Sequence, residues 1–478
     1  MTNEKKVYLV YPKELGEIAP ELYGHFAEHI GGVIYDGIWV GKNSDVPNVN
    51  GFRKEIIDKL RAIKAPVIRW PGGCFAETYD WRDGIGKNRP TRLNWWGYED
   101  GKTEPNTVGT HEFMDFCEAV GAKAYFAANL TSVSPLHIRN WMDYCLSPQG
   151  STTLAKEREA NGHPAPFDIP FWGVGNENWG GGGNMTPEHY ADEFKRFYTL
   201  MKNAFPNVEY YMCGENGFDF GWTDRVIRNT NGHGDGFTAH YYCGTAGEAV
   251  DFSEDDWDSL MKKASDMEAL IERNVNIIHG SGAATKLVID EWGCWHKGGS
   301  GPSHGENLFE QQSTVRDALV TAITLNIFNK HCRNIRMANV AQLTNNLHAL
   351  FLAGGDKCIV TPTYHVFDMY KEHMGAASLE CVVTDNSELS SSVSVSASVK
   401  NGKTLVTIGN LSCREDAVIS LEGVGMPIPE KVEAEILSAD DIHSHNTFEN
   451  PNAVSPKPYT ISADRFVLPR AGILKITF

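Results

Sequence analysis

Two glutamates in this chain have the surroundings expected of catalytic carboxyl groups. Glu177 lies in the run Trp-Gly-Val-Gly-Asn-Glu-Asn at residues 172–178, and Glu291 lies in Val-Ile-Asp-Glu-Trp at residues 288–292. Each run begins as a short apolar, strand-like segment and leads to a glutamate. Cleavage of a glycosidic bond uses two carboxyl groups that flank the scissile bond. If Glu177 and Glu291 face each other across a pocket, the sequence predicts a sugar hydrolase.

The two carboxyl groups of such a reaction need different environments. A general acid must remain protonated near neutral pH, and a neighbouring carboxylate raises its pKa by repulsion between like charges. A nucleophile must remain ionised, which hydrogen bonds or a nearby cation favour. Asn176 precedes Glu177 and is placed to bind a sugar hydroxyl, while Arg69 is a candidate to orient Glu291. The structural alternative for either glutamate is an ion pair at the rim of a sheet.

Alternating apolar and amphipathic runs between about residues 20 and 375 predict the elements that position these glutamates. The predicted strands are residues 67–70, 124–127, 171–174, 210–213, 236–239, 287–290 and 337–340, with an earlier one near 22–24. The predicted helices include residues 52–63, 111–120, 186–202 and 308–332. Eight strand–helix units over this length favour an α/β fold, the (β/α)₈ TIM barrel. The alternative is a doubly wound open sheet, which no G-x-G-x-x-G loop supports.

Polar residues close the predicted strands. They are Arg69, Asn129, Asn176, Glu177, Glu215, Asn216, His240, Tyr241, Tyr242, Glu291 and Gln342. In a (β/α)₈ barrel, functional side chains collect at the carboxyl ends of the strands and in the loops that follow them. A barrel that needed only stability would not require a polar residue at each of these positions. The pattern therefore favours an enzyme.

The sequence changes character after about residue 376. Residues 392–399 alternate serine with small apolar residues, Lys-Asn-Gly at 400–402 supplies a turn, and residues 404–408 form another strand-like run. Period-two alternation around an Asn-Gly turn predicts a hairpin. We therefore predict a C-terminal all-β sandwich. The predicted domains are an N-terminal strand that joins the sandwich (1–15), the catalytic barrel (16–375) and the C-terminal β-sandwich (376–478).

Composition limits the classes of partner. The net charge is −18, from 61 acidic and 43 basic residues, whereas phosphate binding requires a basic surface. The sequence therefore disfavours nucleic acid or an anionic membrane as a partner and suits a neutral substrate. No apolar run approaches the ~20 residues of a membrane span, and the first residues lack the apolar segment of a signal peptide. We expect a cytoplasmic protein whose ten cysteines, which form no C-x-x-C pair, are reduced thiols.

Several motifs along nearly the whole chain resemble those of the α-L-arabinofuranosidases of glycoside hydrolase family 51, a family of retaining glycosidases. The matching segments are residues 24–29, 69–73, 81–86, 175–179, 240–242, 290–292, 339–342 and 445–449. The resemblance implies a barrel joined to a jelly-roll-like sandwich that includes the N-terminal strand. It also implies no metal or other cofactor and a homo-oligomer, often a hexamer.

The same resemblance implies a role for each matched residue. Glu177 is expected to be the acid/base and Glu291 the nucleophile, with Arg69 in support. The residues expected to hold or surround the arabinofuranose are Glu28, Cys74, Asn176, Tyr242, Trp295 and Gln342. The implied activity is the exo-acting, retaining hydrolysis of terminal non-reducing α-L-arabinofuranosyl units of arabinoxylan- or arabinan-type oligosaccharides.

Two positions depart from the family pattern. Position 74, often asparagine in the family, is Cys74 here, and a thiol is a weaker hydrogen-bonding group than an amide. After Trp179 many members have a Gly-Cys pair, whereas this chain has four glycines at 180–183. Because neither change touches the two glutamates, both are expected to affect affinity and specificity.

Three alternatives remain open from the sequence. The nearest keeps the fold and changes the sugar, giving a β-xylosidase or a β-1,4-glucanase on the same carboxyl pair. A second is a non-catalytic carbohydrate-binding protein, which the presence of both glutamates disfavours. A third is a metal-dependent hydrolase with His25, Glu28 and His29 as ligands, although their spacing is not H-E-x-x-H.

Overall fold

Eight parallel strands form a closed barrel in the structure, a computed structural model that describes residues 4–97, 101–244, 247–385, 388–389 and 392–478. In chain order the barrel strands are Gly24–Phe26, Val67–Trp70, Lys123–Ala128, Phe171–Val174, Glu209–Asn216, Gly236–Gly244, Lys286–Trp295 and Ile335–Ala341. Each strand pairs with the next along the chain, and the eighth pairs with the first. The predicted (β/α)₈ barrel is confirmed.

The short apolar runs become barrel strands because both of their faces are buried. Every residue of the second strand, Val67–Trp70, and of the fourth, Phe171–Val174, is buried. A compact cluster takes one residue from each of six strands, as expected for the interior of a barrel. Its members are Val67, Tyr125, Phe171, Tyr211, Val288 and Met337.

The helices follow the predicted pattern, with differences at their ends. The α-helices in the described ranges are Lys54–Ala62, Thr110–Val120, Pro135–Leu146, Thr153–Ala160, Pro187–Ala204, Phe220–Asn229, Glu254–Ser265, Met267–Gly280, Val315–Lys330 and Pro362–Tyr370. Short 3₁₀ helices span Pro20–Tyr23, Cys74–Thr78 and Lys371–His373. Two-stranded sheets in the loops pair Asn48–Val49 with Phe52–Arg53, Arg92–Leu93 with Thr103–Glu104, and Phe351–Gly354 with Lys357–Val360. None of the helices within the described ranges is long and apolar enough to cross a membrane.

The helix predicted at residues 308–332 is shorter than the prediction, since it begins at Val315. The backbone N–H of Thr314 donates to Asp317 Oδ2 at 2.8 Å, and Thr314 Oγ1 accepts the N–H of Arg316 at 3.1 Å. These bonds form a capping box, which starts a helix at this point. Phe309, with a φ of 57°, lies in the loop before it. The prediction was wrong at its N-terminal end because it took the apolar residues Leu308 and Phe309 into the helix, although the polar residues 310–314 separate them from Val315.

The C-terminal region forms the predicted all-β domain around one sheet. Its strands lie in the order Lys457–Pro458, Glu433–Leu437, Ile473–Thr477, Lys403–Asn410, Val393–Lys400, Ala377–Asp385, Glu4–Glu17, Ala417–Val424 and Phe466–Leu468, and Glu388–Leu389 pairs beside Ala377–Asp385. Ile436 and Phe466, from strands near opposite ends of this order, belong to one hydrophobic cluster. The sheet therefore encloses a core of its own, separate from the barrel.

The strand Glu4–Glu17 lies inside this sheet, antiparallel to Ala377–Asp385 and parallel to Ala417–Val424. In the predicted hairpin, the two turn residues Asn401 and Gly402 have φ angles of 52° and 76°. Two positive φ angles match the twist of the flanking strands, which explains the Asn-Gly sequence. The exact domain boundaries, near residues 15 and 376, stay a prediction.

Candidate active site

Glu177 and Glu291 lie close together at the carboxyl ends of the fourth and seventh barrel strands. An oxygen of one carboxyl group lies within 4.8 Å of an oxygen of the other. His240, in the middle of the sixth strand, places its Nδ1 atom 2.8 Å from Glu177 Oε1 and 3.5 Å from Glu291 Oε2. The side chain of Glu291 is 8% exposed and that of Glu177 is 20% exposed. Glu291 is therefore the more buried of the two.

A buried carboxylate, Glu77, holds the turn that presents Glu177. Glu77 Oε1 accepts the backbone N–H of Asn176 at 2.6 Å and the side-chain amide of Asn178 at 2.9 Å. Its other oxygen accepts the backbone N–H of Thr131 at 2.8 Å. Glu177 has a φ of 43°, which is uncommon for a residue with a Cβ atom. The contacts on both sides of Glu177 hold this conformation in place.

Arg69 connects the surroundings of the two glutamates. Its Nη1 atom donates to Glu291 Oε1 at 2.7 Å and its Nη2 atom donates to Asn176 Oδ1 at 2.6 Å. Its Nε atom lies 3.3 Å from Asp290 Oδ2. Burial disfavours the charge on Arg69, but Asp290 and Glu291 raise its pKa above the usual range. A second donor to Glu291 is the hydroxyl of Tyr242, 2.8 Å from Oε2.

His240 is a second buried cation in the site. Its Nε2 atom lies 3.2 Å from Asp290 Oδ1, so carboxyl groups face both of its ring nitrogens. Burial opposes protonation, but Glu291, Asp290 and Glu177 raise the pKa of His240 to about 10. Asp290 also accepts a hydrogen bond from Tyr125 at 2.9 Å. Burial acts to raise the pKa of Asp290, but Arg69 and His240 lower it overall, so that Asp290 is ionised.

Glu28 and Gln342, from the first and eighth strand ends, bind each other. The backbone N–H of Glu28 donates to Gln342 Oε1 at 2.9 Å, and Gln342 Nε2 donates to Glu28 Oε2 at 3.2 Å. Glu28 Oε1 accepts the backbone N–H of Phe75 at 3.0 Å and the indole N–H of Trp96 at 3.2 Å. Burial and the nearby charge of Glu291 raise the pKa of Glu28 to about 7. Among the described residues, the site therefore contains four carboxyl groups, of Glu28, Glu177, Asp290 and Glu291, and two cations, Arg69 and His240. This excess of carboxyl groups favours the binding of a proton by one of them.

The two departures from the family pattern lie next to each other in the structure. The thiol of Cys74 lies 3.6 Å from Glu177 Oε2, and Asn176 Nδ2 lies 3.8 Å from the same sulfur. Burial, followed by the charge of Glu177, raises the pKa of Cys74, so the thiol is neutral. A Cβ atom at Gly181 would lie 2.9 Å from the sulfur of Cys74. The glycine at 181 therefore leaves the space that the Cys74 side chain occupies.

Trp295 completes the set of residues that the sequence singled out. Its ring packs edge-on against Tyr242, with centroids 5.2 Å apart, and against Phe309, at 5.0 Å. Contacts therefore connect all nine predicted site residues in one pocket region. They are Glu28, Arg69, Cys74, Asn176, Glu177, Tyr242, Glu291, Trp295 and Gln342.

Several residues of this region received no individual role from the sequence, among them His240, Asp290 and Phe309, whereas Trp96 was a candidate to stack on a sugar ring beyond the first subsite. His240 is in register with Glu291 on the neighbouring strand, and this register was the signal that would have revealed it. The contacts of Trp96 and Phe309 depend on long loops. The periodicity of the sequence does not predict the path of these loops.

The three residues of the metal-dependent alternative face different partners. His25 packs against Phe367, with ring centroids 5.0 Å apart. His29 Nδ1 donates to Glu104 at 2.8 Å, and its Nε2 accepts the indole N–H of Trp70 at 3.0 Å. Glu28 instead contacts the groups described above, so these three side chains do not converge on one point.

A closed (β/α)₈ barrel with two neighbouring carboxyl groups at the ends of its fourth and seventh strands defines this protein as a glycoside hydrolase. Family models match an α-L-arabinofuranosidase 1 domain over residues 59–259 and an α-L-arabinofuranosidase C-terminal domain over residues 290–471. An intracellular exo-α-L-arabinofuranosidase of Bacteroides ovatus is 37% identical over 463 residues, 93% of this chain and 88% of that protein. The chain belongs to the α-L-arabinofuranosidases of glycoside hydrolase family 51.

Solved structures agree with this assignment over the whole fold. The family 51 arabinofuranosidase of Xanthomonas axonopodis pv. citri superimposes with a TM-score of 0.94 at 36% identity, covering 99% of both chains. The α-L-arabinofuranosidase of Thermotoga maritima, in its arabinose complex, gives a TM-score of 0.88 at 26% identity, with the same coverage of both chains.

Proposed function

We propose that this protein is an exo-acting, retaining enzyme that removes terminal non-reducing α-L-arabinofuranosyl units from arabinoxylan- or arabinan-type oligosaccharides. The observation that carries the proposal is the pair Glu177 and Glu291, whose nearest oxygens lie within 4.8 Å. Retaining glycosidases place their carboxyl groups about 5 to 5.5 Å apart, whereas inverting enzymes leave room for a water molecule at about 6.5 to 9.5 Å. The short separation here supports retention.

In the proposed first step, Glu291 attacks the anomeric carbon while Glu177 donates its proton to the departing glycosidic oxygen. The bond to the leaving group breaks, and an ester between Glu291 and the sugar forms. In the second step, Glu177 removes a proton from water, whose oxygen displaces Glu291 from the anomeric carbon. Arabinose leaves with its original anomeric configuration, and both carboxyl groups return to their starting states.

The contacts of the two glutamates support these different roles. Arg69, Tyr242 and His240 surround Glu291 with donors that stabilise a carboxylate. Burial raises the pKa of Glu291 overall, and the charges of His240 and Arg69 oppose this rise. Glu177 is more exposed, as an acid that must reach both a leaving group and an incoming water molecule requires.

The remaining predicted residues line the proposed first subsite. Glu28 and Gln342 form one side of it through their mutual hydrogen bonds, and we propose that they bind sugar hydroxyls. Asn176 lies between Arg69 and Cys74, next to the proposed acid. We propose that Tyr242 and Trp295 contact the sugar from the side of the nucleophile, and that Cys74 lines the pocket.

We further infer a cytoplasmic location and a homo-oligomer, with a hexamer as the expected assembly. The location is supported by the Bacteroides ovatus relative, which is named an intracellular enzyme. The assembly is supported by the resemblance to the family. Light scattering on the purified protein would measure the number of subunits directly, and a monomeric mass would contradict the inference.

The test of the proposed function is a panel of aryl glycosides offered to the wild type and to Glu291→Gln. We expect the wild type to release the aryl group from the α-L-arabinofuranoside, and the variant to lose on the order of 10⁴-fold in kcat. Glu272→Gln is the matched control, because Glu272 is an exposed residue on the helix Met267–Gly280. Preferred cleavage of the β-xyloside or β-glucoside would replace arabinose as the substrate. If neither the wild type nor Glu291→Gln cleaves any glycoside of the panel, the result would favour a non-catalytic, carbohydrate-binding role.

A further inference from the structure

A continuous arc of aromatic rings borders one side of the pocket. Phe309 lies at its centre, with its ring centroid 5.0 Å from that of Trp295 and 5.8 Å from that of Trp96, both edge-on. Trp295 packs against Tyr242, which binds Glu291, and Trp96 donates to Glu28. We call Trp96 and Phe309 the aromatic wall.

The loop that carries Phe309 is held by specific hydrogen bonds. The backbone carbonyl of Phe309 accepts the N–H of Leu347 at 3.2 Å. The next residue, Glu310, is buried and accepts the backbone N–H of Ser303 at 2.8 Å and the side-chain amide of Asn307 at 2.6 Å. Phe309 itself has a φ of 57°, a conformation that costs energy for a residue with a Cβ atom. The surrounding contacts therefore hold the ring at this position.

A cleft of about 850 Å³ lies beside the loop that carries Phe309, since Ser303, Asn307 and Glu310 of that loop line it. Its lining includes His29, Tyr35, Asn94, Glu104, Asn307 and Glu310. Two of these lining residues directly follow residues of the site in sequence: His29 follows Glu28, and Glu310 follows Phe309. The rings of the wall pack towards Glu28 and Trp295, whereas these neighbouring polar residues face the cleft.

We propose that the aromatic wall restricts hydrolysis to unsubstituted terminal arabinofuranosyl units by separating the first subsite from this cleft. The inference rests on the proposed function and adds the residues that set its exo specificity. A substituent on the hydroxyl that faces the wall would need the space of the Phe309 ring. Without that ring the subsite and the cleft become continuous, and the polar groups of the cleft are available to a substituent such as a second sugar.

The test uses aryl α-L-arabinofuranosides that are unsubstituted or carry one O-methyl group at O2, O3 or O5. The enzymes are the wild type, Phe309→Gly, Phe309→Ala and Phe309→Leu. Glycine removes the ring and suits a positive φ, so the loop should keep its path. Leucine keeps most of the apolar bulk and is the matched control. Alanine is the second small variant, in case the glycine variant unfolds, and thermal unfolding measures the fold of each.

We expect one of the three methyl ethers to gain at least about 10-fold in kcat/KM relative to the unsubstituted substrate in Phe309→Gly and Phe309→Ala. One extra methylene in a pocket changes kcat/KM by about 10- to 200-fold. Removing the ring that excludes the methyl group should therefore raise kcat/KM for the methyl ether by a factor in this range. Phe309→Leu should change the ratio less than about threefold. If Phe309→Gly and Phe309→Ala fold but leave the kcat/KM ratio of methylated to unsubstituted substrate unchanged, the proposed role of the aromatic wall is wrong and the proposed function is unaffected. A wild type that cleaves no α-L-arabinofuranoside would overturn the proposed function as well.

Discussion

The surroundings of Glu291 differ from those of Glu177 in the number and kind of their donors. Glu291 receives a charged hydrogen bond from Arg69 and a neutral one from Tyr242, in a side chain that is almost fully buried. Glu177 has the charged ring of His240 and the thiol of Cys74 as partners, and it is more exposed. Among the residues that the structure describes, His240 contacts both carboxyl groups.

This difference shows how two identical side chains acquire different chemistry. A carboxylate with several strong donors is stabilised in its charged form, as a nucleophile requires. A carboxyl group that is more exposed can reach both a leaving group and an incoming water molecule, as an acid/base requires. Changes to one side of the pair should therefore alter one role in the reaction, that of the acid/base or that of the nucleophile, and changes to His240 should alter both roles.

After the loss of the nucleophile in Glu291→Gln, the next largest effect is expected from Glu177→Ala on substrates with poor leaving groups. Without the proposed acid, an alkyl or sugar leaving group receives no proton, so kcat/KM should fall about 10²- to 10⁴-fold. A dinitrophenyl leaving group needs no proton, so its first step should change far less. The measurement is the slope of log kcat/KM against the pKa of the leaving group, with Glu272→Gln as the control. Equal losses for all leaving groups would contradict the assignment of Glu177.

A smaller effect is expected from His240→Asn, which removes the cation shared by the two glutamates. His240 lowers the pKa of Glu291, and its own pKa of about 10 keeps it charged at neutral pH. Loss of this charge raises the pKa of Glu291. The acidic limb of the pH profile of kcat/KM should then move upwards, by on the order of one unit, because Glu291 must be ionised to react.

We expect His240→Asn to lower kcat/KM about 10- to 100-fold at neutral pH, as for the loss of one positioned charge. The control is His279→Asn, at an exposed histidine on the helix Met267–Gly280. A lower rate with an unchanged pH profile would show that His240 acts only through the packing of the site. That result would contradict the role of His240 as a charge that acts on the two glutamates.

The smallest effect is expected on the side of Glu177, at Cys74 and Gly181. In Gly181→Ala the new methyl group would lie 2.9 Å from the Cys74 sulfur, so one of the two must move. We expect a several-fold loss in kcat/KM, which the double variant with Cys74→Ala should partly recover through a coupling of about 1 kcal/mol. Gly180→Ala is the control, because the nearest atom to its added Cβ is 3.9 Å away. Additive losses would show that the two positions act independently.

The sequence predicted the barrel and the all-β domain because their patterns are local. Residues such as Val67 and Phe171 lie in apolar runs that form strands by burial of both faces. The strand ends also revealed Glu177 and Glu291, since a barrel brings its carboxyl ends together. The link between Glu177 and His240 joins separate strands, and its geometry depends on the register of the sheet.

The loops were the part that the sequence predicted least well. The predicted helix at residues 308–332 included Phe309, whose left-handed backbone places it in the loop beside the pocket. Helical periodicity describes residues three or four positions apart in the chain. It therefore cannot predict that the ring of Phe309 packs between Trp96 and Trp295, which are distant in sequence. For the same reason, the closeness of Cys74 and Gly181 appears only in three dimensions.

The position of the strand Glu4–Glu17 has a consequence for folding during synthesis. Residue 17 pairs with residue 377 and residue 4 with residue 418, so its partners are made long after it. At about 5–20 residues per second, the delay is roughly 20 to 80 s. All eight barrel strands leave the ribosome within that interval, while the strand that precedes them still has an open edge. The strand carries lysines at positions 5, 6 and 13. Charged side chains on an open strand edge discourage pairing with other chains, so these lysines should protect the strand until its partners are synthesised.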